Sequence, residues 1–369
     1  MIAVGSAASS GSTLLADLLD AVPTLACGPE LNILCLDAAY RYDAQFKAAT
    51  RAGHSFPIRS SLLSRSRFFN TRHLDAVGLD AAQLDRLITE AQSLNEFVAA
   101  YTTHYAEFRA RPLTAFAEKT PQNIAYAADF HAAFPDGLFV IVVRDGRSVV
   151  GSLRRRGYVL YEAALIWLWE THVGRRAATS LPRVVEIRYE DLVTDPFSRV
   201  VELVASVGID ASPSVVQENH RINEYRSQLH RVDTWRASLC SREVIANLGY
   251  EADLSDAEVA FLETLVLRLP DGTLVSFAET LAHYGYPFAA RGRPADLRAL
   301  EYHAAEYFAR SRNLVIQAKH ALLMTPAASA SALRRMSPWG APTSVRRQRR
   351  LLARLRRTAS RTNPQHPGS

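Results

Sequence analysis

The segment "LFVIVVRDGRSVVGSL", residues 138–153, carries the clearest structural signal in the chain. Residues 138–143 are continuously apolar and rich in β-branched side chains. Pro135-Asp136-Gly137 precedes them and Arg144-Asp145-Gly146 follows them. A short apolar run between turn residues suits a parallel strand covered on both faces. The residues after it return to helical spacing, so the segment reads as strand, turn and helix. Arg144 then stands at the carboxyl end of a central strand, where open α/β sheets bind ligands.

The chain has the same unit at its start. "IAV" at 2–4 reads as a buried strand, and "GSTLLADLLDAV" at 11–22 as a helix, with a Gly/Ser/Ala loop between them. "LTAFAEK" at 113–119 and "RVVEIRYEDL" at 183–192 supply two more strands. "QNIAYAADFHAAF" at 122–134, "YEAALIWLWETHVGRRAAT" at 161–179 and "FSRVVELVASVGI" at 197–209 are helical. Strands alternating with helices predict an α/β fold with a central parallel β-sheet flanked by helices. Residues 36–112 read as an irregular helical insertion, and 213–290 as mostly helical. A helix is expected over 293–324, followed by a basic, disordered tail over 325–369.

Composition bounds the function. No apolar run reaches the ~18 residues of a membrane span. No secretory leader is visible at the start. The three cysteines, Cys27, Cys35 and Cys240, have neither a disulfide framework nor metal-ligand spacing, which predicts a reducing, cytoplasmic compartment. The formal charge is +6, but residues 307–369 hold thirteen Lys and Arg and no acid, which leaves residues 1–306 at −7. A basic body coating nucleic acid is therefore not supported, and no nucleic-acid partner is expected. "RRQRRLLARLRR" at 346–357 has the pattern of a basic amphipathic helix, suited to peripheral contact with the inner face of an anionic membrane; a solvated tail is the plainer alternative.

The loop Gly5–Thr13 aims backbone N–H groups and a helix dipole at one point, which favours an anion. It is not an ATP-type loop. Gly5 and Gly11 are one residue too far apart, and Ser12 stands where that pattern requires Lys. A tight turn with no ligand stays open on this segment alone. Three strand ends shift the balance: they offer Arg144, Lys119 (in "EKTPQN") and Tyr189 (in "RYEDL") to the same sheet edge. Ser152 lies eight residues beyond Arg144, about two helical turns on, where a hydroxyl and a guanidinium fork can grip one phosphate. A salt bridge from Arg144 to Asp145 is the structural alternative.

The ordered set "SSGSTLL … CGPE … EKTPQN … VIVVRDGRSVVGSL … VVEIRYEDLVTDP … VDTWRASL" resembles the sulfotransferases that use 3′-phosphoadenosine-5′-phosphosulfate (PAPS), and is nearest in style to the tyrosylprotein sulfotransferases and their bacterial relatives. The resemblance covers about residues 1–250, with "LAHYGYP" at 281–287 as an addition. It implies a P-loop-like sulfotransferase domain over 1–292, with 36–112 contributing to the acceptor site and 213–290 a lid. It implies that Ser9, Ser10, Gly11, Ser12 and Thr13 hold the 5′-phosphosulfate. It places Arg144, Ser152 and Arg156 on the 3′-phosphate, Tyr189 in the nucleotide pocket, and Trp235 and Arg236 in a segment closing over it. Lys119 would bind or polarise the sulfuryl group. Glu30 of "CGPE" would be the general base, a role a capping or surface carboxylate would not have. No metal is implied. The acceptor would be a hydroxyl on a small molecule, glycan or lipid. Relatives usually carry Arg or Lys where this chain has Ser9, so either another cation substitutes (Lys119 first, then Arg156 or Arg236), or catalysis is slow, or the protein is inactive. The alternatives are a non-catalytic nucleotide-binding relic of the fold and a nucleoside-triphosphate-dependent kinase, against which the missing loop Lys counts.

Overall fold

A computed structural model describes residues 1–28, 30–31, 33–35, 40, 77–156, 158, 160–221, 249–250, 253–268, 273–288 and 298–301. Five parallel strands form the main sheet: β1 (Ile2–Ser6), β2 (Leu25–Cys27), β3 (Ala115–Lys119), β4 (Leu138–Val143) and β5 (Val184–Arg188), in the order β2-β3-β1-β4-β5. All four pairings are parallel, and β1 lies at the centre, with Val4 opposite both Lys119 and Val140. This confirms the α/β class and the parallel sheet. Every residue of β4 is buried.

The alternation of side chains along a strand feeds two separate cores. Phe139, Ile141 and Val143 of β4 enter one; Leu138, Val140 and Val142 enter the other, together with Ile2 and Val4. The second core is completed by α1 (Ser12–Asp20) and by α8 (Pro196–Ala205), whose Leu15, Leu18, Leu19, Val200 and Val204 are buried there. The first is covered by α3 (Leu94–Phe108), α5 (Gly146–Arg155) and the long α6 (Leu160–Ser180), through residues such as Tyr101, Val150 and Trp167. The remaining described helices are α2 (Ala81–Glu90), α4 (Ala127–Ala133), α7 (Tyr189–Thr194), α9 (Pro213–Arg221), α10 (Asp256–Glu263) and α11 (Phe277–His283).

Several details differ from the sequence expectations. β2 is an additional edge strand, only three residues long. Residues 121–126 form a 3-10 turn before α4, because Pro121 opens the segment and Asn123 turns inward to bond Val4 O. The stretch 213–290 includes two strands, β6 (Leu265–Arg268) and β7 (Leu274–Ser276), paired antiparallel. β8 (Arg298–Glu301) pairs with β6 and occupies the start of the expected helix 293–324; the rest of that helix and the basic tail lie outside the described residues. "HYGYP" docks on β5 and α7: Tyr284 Oη donates to Glu186 of β5 at 2.5 Å, and Tyr286 Oη donates to Glu190 of α7 at 2.7 Å. Among the described residues no helix is long and apolar enough to cross a membrane.

Candidate functional site

The loop from β1 to α1 sits at the carboxyl edge of the sheet. Its approach to the chain after β3 is close: a Cβ on Gly5 would lie 2.5 Å from the backbone nitrogen of Ile124. Gly11 caps α1 in the left-handed region, φ +91°, and provides no side-chain cap. Neighbouring helices are closed by their own side chains, Ser93 on α3 and Asp145 on α5. At α1 the first-turn amides of Ser12 and Thr13 have no carbonyl to bond within the helix. A cap of this kind leaves the positive end of the dipole for a ligand. Ser10 points the same way: its side chain is buried and its Oγ has no hydrogen-bond partner among the described residues.

Two arginines fix the loop. Ser9 adopts a left-handed conformation, φ +66°, which an ordinary residue holds only when its surroundings impose it. Arg144 donates to Ser9 O at 3.3 Å, and Arg156 donates to Ser9 Oγ at 3.0 Å. The Arg144 guanidinium also lies over the Tyr189 ring, 4.5 Å from its centroid. Burial pushes the Tyr189 hydroxyl above its ordinary pKa and so keeps it neutral. The salt bridge from Arg144 to Asp145 does not form. Asp145 is committed to Arg147, with N–O distances of 3.0 and 2.7 Å, and its Oδ1 caps α5. Arg144 is thereby directed at the loop rather than along its own helix. Ser152 is half-buried on α5, on the same face as Ser148 and Arg156 because the three are four residues apart. Trp235 and Arg236 lie outside the described residues.

Lys119 ends β3 opposite Val4 and is completely buried. Its Nζ lies 2.6 Å from Glu30 Oε1 and 3.5 Å from Thr13 Oγ1. Three segments far apart in sequence, "CGPE", "EKTPQN" and the loop helix, thus meet at one ammonium group. The donors gathered here, the first-turn amides of α1, the Ser10 hydroxyl and the Arg144 guanidinium, have the chemistry of an anion site. The carboxylate of Glu30 is hydrogen-bonded directly to the Lys119 ammonium. Among the described residues no group of three or more His, Cys, Asp or Glu is placed to hold a metal ion.

Sequence reasoning missed four supporting residues. Glu170 on α6 accepts from Ala8 N at 2.9 Å and pins the start of the loop. Trp167, one turn earlier, donates from Nε1 to Arg144 O at 3.1 Å. Glu190 accepts from Asp145 N at 3.1 Å, which ties "YEDL" to "RDG". Glu118 accepts bonds from three directions behind Lys119. Glu190 and Glu118 lie within the strand-end segments read for the site, whereas Trp167 and Glu170 lie within 161–179, read only as a helix. A cleft beside β5, lined by Val143, Arg188, Asp191 and Tyr284 among others, shares no residue with the loop.

Comparison with known proteins agrees with this geometry. Residues 2–213 match the Sulfotransferase family. Protein-tyrosine sulfotransferase 2 from Gallus gallus is 23% identical over 234 residues, covering 61% of this chain and 55% of that protein. The chain therefore spans about half the length of the curated relative it matches. Among solved structures, the sulfotransferase domain from the curacin biosynthetic pathway superposes with a TM-score of 0.53 at 18% identity, covering 78% of this chain and 98% of that one. The order of the strands, the uncapped loop between β1 and α1 and the family match over more than half of the chain lead to one conclusion: this chain belongs to the sulfotransferase family.

Proposed function

We propose that the chain transfers the sulfuryl group of PAPS to a hydroxyl of an acceptor. The observation that supports this reading is the buried contact between Lys119 and Glu30 at the foot of the uncapped loop, where an ammonium and a carboxylate meet beside Thr13. PAPS supplies the activated sulfuryl group. Ser10, Gly11, Ser12 and Thr13 hold the 5′ end with backbone and hydroxyl donors. Arg144 and Ser152 hold the 3′-phosphate, and Tyr189 forms one wall, while Arg156 stands at the loop on Ser9 Oγ. Glu30 takes the acceptor's proton as the acceptor oxygen bonds to sulfur. The sulfur–oxygen bond to the 5′-phosphate breaks, and Lys119 stabilises the charge that develops. The acceptor site falls to residues 36–112, and 213–290, with Trp235 and Arg236, closes over the nucleotide.

The grip of Arg144 is tested by calorimetry with adenosine 3′,5′-bisphosphate. Arg144→Ala is expected to weaken binding by about 10–100-fold, the loss of a charge-assisted fork on a phosphate. A change under twofold would remove Arg144 from the nucleotide site.

Arg156 fills the part that Ser9 leaves empty, because its guanidinium already rests on Ser9 Oγ. Arg156→Ala is expected to lower turnover of PAPS at least about tenfold, and Ser9→Arg to restore most of that loss in the double variant. Full activity of Arg156→Ala would assign the missing cation elsewhere.

A further inference from the structure

The general base of this reading is held by more than its ion pair. Glu118 and Lys119 are consecutive on β3, so their side chains leave opposite faces of the sheet. Lys119 turns toward α1 and meets Thr13 and Glu30. Glu118 turns toward the other core, where it is 1% exposed. There its Oε1 accepts from Leu31 N at 3.2 Å and from Thr120 Oγ1 at 2.6 Å, and its Oε2 accepts from Asn123 Nδ2 at 2.6 Å. Asn123 Nδ2 also donates to Val4 O, 3.1 Å away on the central strand. Three donors converge on this carboxyl, and burial raises its pKa against the lowering pull of the Thr120 and Asn123 bonds.

The adjacent residues Glu30 and Leu31 therefore straddle the end of β3. One is fastened by side chain to Lys119, the other by backbone to Glu118. A segment tied at one point can swing; a segment tied at two adjacent residues, on two faces of a strand, cannot. We propose that Glu118 is a positioning residue that holds Glu30 in line with the reacting hydroxyl, by clamping Leu31 N to the same strand end that presents Lys119. This rests on the reading of Glu30 as base. It extends the catalytic apparatus to a carboxylate that touches neither substrate nor donor.

The consequence is a division of labour between the halves of the site. Glu118 lies behind the acceptor side of Lys119, and the nucleotide is gripped by the loop, Arg144 and the α5 face. Loss of Glu118 should disturb chemistry and leave nucleotide binding intact. Glu118→Leu removes all three acceptor contacts at similar volume. Glu118→Gln keeps one oxygen for Leu31 N but turns an amide donor toward Asn123 or Thr120, so it is the milder variant and the one to use if Leu fails to fold.

Three measurements on the full chain decide the point: amide hydrogen exchange at Leu31, calorimetry with adenosine 3′,5′-bisphosphate, and release of that product from PAPS with 2-naphthol or water as acceptor. In Glu118→Leu, exchange at Leu31 should rise about 100-fold or more while the amides of β1 and β4 stay protected. Bisphosphate affinity should stay within about threefold, and kcat should fall by about 30-fold or more. Glu118→Gln should lie between Leu and wild type in both exchange and kcat. Unchanged exchange at Leu31 would overturn the clamp, and a freed Leu31 with unchanged kcat would overturn its role in positioning the base. Absence of both bisphosphate binding and PAPS turnover in the wild type would instead overturn the sulfotransferase reading, while the exchange at Leu31 would still report on the clamp.

Discussion

Replacing Lys119 by Met is expected to lower turnover of PAPS by about 10²–10³-fold, the usual cost of losing a positioned charge stabiliser. The same change leaves Glu30 without its buried partner. Breaking such a pair costs about 3–5 kcal/mol, a large part of the stability of a domain. The two effects separate cleanly. In the double variant Lys119→Met/Glu30→Leu no uncompensated charge remains, so most of the lost stability should return, while activity falls further. Thermal melts of the two single variants and the double variant give the coupling between the side chains. Glu30→Gln alone should cost about 10²–10⁴-fold in kcat, the range for a general base. Binding of adenosine 3′,5′-bisphosphate, which lacks the sulfuryl group, should change little in any of them. A Lys119→Met variant with wild-type turnover would mean that the ion pair is structural.

The second large effect is at Gly11. A side chain there must adopt a left-handed backbone, at about 1–2 kcal/mol. It also meets a wall: a Cβ on Gly11 would lie 2.1 Å from Cδ2 of Tyr189. The ring cannot retreat freely, because it is buried and Arg144 lies over its face. Overpacking of this kind costs about 1–3 kcal/mol more. Gly11→Ala should therefore destabilise the protein by about 2–5 kcal/mol in all, read as a lower melting temperature. It should also abolish measurable bisphosphate binding, since displacing Tyr189 moves Arg144 and the loop together. A variant that melts at the wild-type temperature and binds normally would show that the loop relaxes around the new methyl group.

How much of this was legible in the sequence depended on how local the cause was. β4 was evident because all six of its residues are apolar, and both faces are in fact buried. Arg144 and Lys119 stood out because each ends a strand at the carboxyl edge of a parallel sheet, and that is where the structure has them. β2 was invisible: three residues, Leu25–Cys27, carry no periodicity. β6 and β7 were hidden inside a stretch with helical neighbours, and their pairing is a tertiary fact. Glu30 came from resemblance alone; nothing in "CGPE" shows that it would meet a lysine 89 residues away. Glu170 and Trp167 escaped notice for the same reason. Their partners Ala8 and Arg144 are set by how α6 lies across the sheet, and a helical pattern gives the buried face without the neighbour. Arg147 is the instructive case. In "RDGR" either arginine could take Asp145, and the capped start of α5 gives it to Arg147, while Arg144 donates to Ser9 O in the loop.

The central claim is that the loop and its arginines hold a 3′-phosphorylated adenosine nucleotide and not a triphosphate. Calorimetric titration of the full chain with adenosine 3′,5′-bisphosphate and, separately, with ATP tests it most directly. The bisphosphate should bind at least about 100-fold tighter, a difference of about 2.7 kcal/mol, because the proposed site assigns Arg144 and Ser152 to a 3′-phosphate and the loop lacks the Lys that a triphosphate requires. Tight binding of ATP with none of the bisphosphate would contradict the account.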